Sequence, residues 1–149
     1  MSEFRLFHLN DCLTNPMKGD RGEQVRLINS ECGAEKVDLH LNRLAPGEPG
    51  GHYHSHSVAD NVYIVKSGTG RLIVDGNEHM LREDDVVYIP AGSKHSLQNA
   101  SDTQSFEIFE IYAPAGNQFD FVVDGEDIGS GWTLLETYLF FLKSRGPNI

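Results

Sequence analysis

The chain has 149 residues, with 12 Lys plus Arg against 22 Asp plus Glu, and a formal net charge of −10. That length predicts a single domain, residues 1–149, with room for a buried core. The charge argues against a nucleic-acid partner, which needs clustered cations, and against an anionic membrane surface. Cys12 and Cys32 form no C-x-x-C, so a zinc knuckle or redox motif is unsupported and free thiols in a cytoplasmic protein are expected. No apolar run reaches the roughly 18 residues of a membrane span, and "MSEFRLFHLND" lacks a hydrophobic signal core.

Strand periodicity dominates the middle of the chain. In "EKVDLHLNRL", Val37, Leu39 and Leu41 share one face, while Asp38, His40 and Asn42 share the other. His40 accordingly reads as a surface strand residue, as does His79. "NVYIVKS" and "RLIVDGNEHML" follow, the second interrupted by Asp75-Gly76, a strong hairpin signal. "DDVVYIPAGSKHSLQN" predicts a strand, a Pro-x-Gly turn and another strand, and "SFEIFEIYAP" and "FDFVV" complete the set. Turn signals every eight to twelve residues suggest one antiparallel sandwich or barrel. In "SGWTLLETYLFFLKS", Leu135, Leu139 and Leu142 fall at helical spacing, although a strand also fits. The preferred reading is a helix over about residues 131–144, capped by Ser130 and stopped at Gly146-Pro147.

The segment "GGHYHSH" raises a chemical question. In an extended strand His52, His54 and His56 share one face, with neighbours roughly 6.6 Å apart. Two imidazoles can converge on one ion, but His52 and His56, about 13 Å apart, cannot both join without a bend. A third ligand must come from elsewhere, and His95, after the Pro90–Gly92 turn, is the candidate. Imidazole suits Fe, Ni, Cu and Zn, and Mn when oxygen ligands join it. Three imidazoles on one side of an ion leave positions open, as in a catalytic site.

These residues resemble the cupin motifs. The second, G-x5-P-x-G-x2-H-x3-N, is matched by Pro90, Gly92, His95 and Asn99, with Asp84 in place of its opening Gly. The first, G-x5-H-x-H-x3,4-E-x6-G, is matched by His54, His56 and Gly68, with Glu48 in the slot of its first Gly. The resemblance covers residues 37–112. It implies an all-β, antiparallel jelly-roll barrel with one divalent transition metal (Fe, Mn, Ni or Zn) on His54, His56 and His95. The motif's Glu falls on Asn61, whose carbonyl oxygen would be a neutral fourth ligand. At the shorter spacing Asp60 could supply a carboxylate instead.

Other residues carry weaker expectations. His52, outside the motif, is a candidate proton shuttle near the barrel mouth. Tyr63 shares strand parity with Asn61, as a pocket-lining or core residue. Asn99 is expected to cap a turn. Glu107 and Glu110 lie on opposite strand faces, so at most one points inward, where it would be a general acid/base candidate. The resemblance then implies a metal-dependent enzyme acting on a small polar molecule, of dioxygenase or isomerase/lyase type. The lost carboxylate resembles the three-His sites of some cupin dioxygenases. The alternative is a non-enzymic small-molecule-binding or sensor barrel with absent or structural metal. A homodimer is expected, because open sheet edges need cover.

Overall fold

A computed structural model describes residues 2–115 and the backbone of 121–123. The predicted helix at about 131–144 lies outside the described residues. Eleven strands appear among them: β1 (Asn15–Met17), β2 (Gly22–Ile28), β3 (Asp38–Leu44), β4 (His54–His56), β5 (Asp60–Ser67), β6 (Gly70–Val74), β7 (Asn77–Leu81), β8 (Val86–Ile89), β9 (His95–Asn99), β10 (Phe106–Ala113) and β11 (Phe121–Val123). They form two antiparallel sheets, ordered β1-β2-β3-β10-β5-β8 and β11-β4-β9-β6-β7. The all-β jelly-roll expectation holds.

Turn chemistry explains several connections. Asp75 and Gly76 both have positive φ, 46° and 83°, and join β6 to β7 with Val74 opposite Asn77. Two consecutive positive-φ residues match the right-handed twist of a tight hairpin. Asp84, in the slot of a motif glycine, takes φ 70°. Its short polar side chain tolerates the left-handed region, so the backbone role survives the replacement. The turn after Pro90 is tied back to β4, since the Gly92 amide donates to the His56 carbonyl at 2.7 Å.

Strands β1 and β2 were absent from the sequence reading. "GEQVRLI" mixes polar and apolar residues on both faces, so its period is weak, yet it pairs with β3 from Gly22↔Leu44 to Ile28↔Leu39. The expectation for His40 is also corrected. Asp38, His40, Asn42 and Leu44 are all buried, and Asn42 bonds the buried Glu110. The polar face of β3 therefore points into the barrel rather than to solvent. His79 is exposed, as expected.

The barrel interior changes character along its strands. On β10 the inward residues run Phe106, Ile108, Glu110, Tyr112. Opposite them on β3 lie Leu44, Asn42, His40 and Asp38, and on β5 Val65, Tyr63 and Asn61 face Ile108, Glu110 and Tyr112. One end is apolar, packed around Leu44, Val65, Leu72, Leu81, Phe106 and Ile108. The other end is polar and holds the site.

Candidate metal centre and cavity

Strands β4 and β9 bring the imidazoles together. His54 lies directly opposite His95 in register, and His56 follows two residues on, with the same side-chain parity. The ring centroids are 4.4 Å apart for His54 and His95, 5.0 Å for His54 and His56, and 5.5 Å for His56 and His95. One ligand atom from each lies within 4.8 Å of the others. Nitrogens bound about 2.1 Å from one tetrahedral ion lie about 3.4 Å apart, so the three rings would close by up to about 1.4 Å around it.

Two tautomers are set by carbonyls. The Nδ1 of His54 is 2.6 Å from the His52 carbonyl, and that of His95 is 2.9 Å from the Ser93 carbonyl. A carbonyl can only accept, so each Nδ1 carries the proton and each Nε2 keeps its lone pair. Hydrogen bonds of this kind orient metal-binding imidazoles. Burial, with the neighbouring His95 and His56, holds His54 well below the usual imidazole range, and burial lowers His95. Both are thus neutral at neutral pH, the form that ligates.

The donor set fits a metal on an observation of its own. The Nε2 of His95 is buried without a hydrogen-bond partner, and so is the Oδ1 of Asn61. Such groups cost free energy unless something binds them. The Asn61 amide nitrogen donates to the Ile111 carbonyl at 3.0 Å, which fixes the amide's orientation. Tyr112, opposite Asn61 on β10, packs its ring 5.1 Å from that of His56. Asp60 is placed otherwise: its carboxylate accepts from the Tyr88 hydroxyl and the Ala91 amide.

Beside the cluster is a cavity of about 200 Å³, lined among others by Arg21, His52, His54, Tyr63 and Glu110. His52 is buried, not solvent-exposed, and Tyr63 contributes to both the cavity wall and the core. Glu110 is the inward carboxylate that strand parity allowed. It accepts from the Asn42 amide at 2.7 Å, while Glu107 faces outward to Arg43 and Lys66. Burial raises the Glu110 pKa, although Asn42, Tyr112, Asn61 and Tyr63 all act to lower it. Burial and the Glu110 charge push the Tyr63 phenol well above its usual range, so it stays a hydrogen-bond donor.

The sequence reading missed Arg21, Gln24, Arg26 and Asn42, which all line the cavity. Three of them sit on or beside the overlooked β2. Glu48 was placed in the slot of a motif glycine without a role. It is buried, accepts from the Gly50 and Asn99 amides at 2.6 and 2.8 Å, and pairs with Arg21 Nε at 2.9 Å. Asn99 caps its turn as expected, accepting from the Ser101 amide, and also donates to the Leu44, Ala45 and Gln104 carbonyls.

A family model for the cupin domain matches residues 40–112. The chain is similar to a mannose-1-phosphate guanylyltransferase of Klebsiella pneumoniae, 33% identical over 65 residues, 41% of this chain and 13% of that protein. It spans only 13–19% of the length of the guanylyltransferases it matches. An oxalate-binding protein of Thermotoga maritima is 28% identical over 90 residues, 58% of this chain and 74% of that protein. In fold, the chain resembles the polyketide cyclase RemF of Streptomyces resistomycificus, with a TM-score of 0.72 at 17% identity, covering 86% of this chain and 90% of that one. With both histidine motifs meeting on adjacent strands of a two-sheet barrel, the chain belongs to the cupin superfamily.

Proposed function

We propose that the chain is a metal-dependent enzyme acting on a small polar molecule by proton transfer, of isomerase or lyase type. The supporting observation is that His54, one of three converging imidazoles, lines the same cavity as the buried Glu110 carboxylate. His54, His56 and His95 would hold one divalent transition metal (Fe, Mn, Ni or Zn), with Asn61 Oδ1 as a neutral fourth donor. Such an ion supplies Lewis acidity toward a substrate oxygen. Glu110, oriented by Asn42, would take and return a substrate proton. Tyr63 would remain protonated and donate a hydrogen bond. His52 lines the cavity and would relay protons outward.

The test has two parts. Untagged wild-type protein should contain about one divalent metal per chain, and His56→Ala should contain little; equal content rejects the ligand assignment. Metal-loaded protein should then exchange a carbon-bound proton of small hydroxy acids, keto acids or sugars in heavy water, followed by NMR. Glu110→Gln should abolish that exchange. Fe(II)-dependent oxygen consumption without proton exchange would select the dioxygenase branch instead. A non-enzymic binding barrel is the second reading, favoured by the similarity to an oxalate-binding protein. It predicts binding without turnover of any kind.

A further inference from the structure

The chain carries a net charge of −10, yet Lys18, Arg21 and Arg26 all line one cavity, against a single acid, Glu110. The lining residues thus carry more cations than acids. Arg21 is the most constrained of the three. Its side chain is 15% exposed, its Nε donates to the fully buried Glu48 carboxylate, and its Nη2 donates to the Leu97 carbonyl at 3.0 Å. Its Nη1 packs on Gly51, where an added Cβ would lie only 3.0 Å away. A guanidinium has five N–H donors in a rigid fork, so those two bonds leave donors over. Glu48 does not merely neutralise Arg21: held by two backbone amides, it fixes where the fork stands.

We propose that the cavity binds a small molecule bearing an oxyanion, carboxylate or phosphate, with that group on Arg21 and Arg26 and its remaining polar end toward His54 and Glu110. A carboxylate or phosphate matches the guanidinium fork, and such bonds strengthen where water is excluded. About 200 Å³ is the space of roughly six or seven waters. A compact acid fits that space. The inference deepens the reading above but needs the metal only for the far end of the ligand.

Calorimetry on the full chain, both metal-loaded and chelator-treated, tests it with malonate, inorganic phosphate and the neutral malonamide. Malonate or phosphate should bind, and malonamide should not; which anion binds tighter separates carboxylate from phosphate ligands. Arg21→Lys keeps a partner for Glu48 but loses the fork, and should weaken the anion about tenfold. Arg26→Gln should weaken it by a smaller factor, and the double variant by more than either. Circular dichroism confirms folding, and elemental analysis of the same samples reads the metal independently. Anion binding by metal-free wild type supports the inference even where the metal reading fails. Failure of both anions to bind wild type, equal binding of malonamide, or unchanged affinity in the folded double variant overturns it.

Discussion

His40 sits in the barrel with neither ring nitrogen hydrogen-bonded, its ring 5.9 Å from that of Tyr112. Burial, with the Arg26 charge, lowers its pKa to about 4. The folded state therefore resists a proton that the unfolded chain accepts from about pH 6.5 downward. The His40 contribution should be full above pH 6.5, fall as the pH drops toward 4, and level off below, a loss of at most about 3 kcal/mol. His40→Leu should flatten the slope of urea-unfolding free energy against pH in that window by about one proton; an unchanged slope means His40 is not buried neutral. Asn61 carries the complementary prediction. Asn61→Glu adds a charge where a buried carbonyl oxygen now lacks a partner. It should tighten metal retention against a chelator, and weaker retention would place residue 61 away from the ion.

At the scale of strands, the sheet contacts are set by what each position leaves room for. A Cβ on Gly70 would meet the Phe106 ring at 2.4 Å, and Phe106 is fully buried and cannot yield. Gly70→Ala should cost about 1–3 kcal/mol in chemical denaturation. Gly76 in the β6–β7 turn has nothing within 4 Å of such a Cβ. There the cost is backbone strain alone, about 1–2 kcal/mol from its positive φ. A Gly70→Ala cost below about 1 kcal/mol would mean that β6 does not pack on Phe106 as described. The ion pair of Arg21 with buried Glu48 ties the segment before β2 to the β3–β4 connection. Glu48→Ala strands the guanidinium and two amides, and should destabilise by about 3–5 kcal/mol in the same assay.

On the scale of the whole molecule, β8 ends the six-stranded sheet with Val86 and Tyr88 exposed at 69% and 63%. Exposed edges of this kind are usually covered, so a homodimer is expected. Light scattering should give twice the 16.6 kDa chain mass, and a mass near 16.6 kDa would reject it. Among the described residues no helix is long and apolar enough to cross a membrane.

Local chemistry carried the sequence reading. Period-two alternation, the Asp75-Gly76 turn and the spacing of His54, His56 and His95 depend on neighbouring backbone geometry, so the strands from β3 onward and the three imidazoles were visible without coordinates. The metal-binding pair could be narrowed only through the motif resemblance. Which face of β3 turns inward could not be read, because a polar row usually faces water and here is buried inside the barrel. Two of the missed residues have partners far away in sequence. Asn42 meets Glu110 across 68 positions, and Arg21 reaches Leu97 across 76. Those meetings are decided by strand order and register, and only the tertiary structure supplies them.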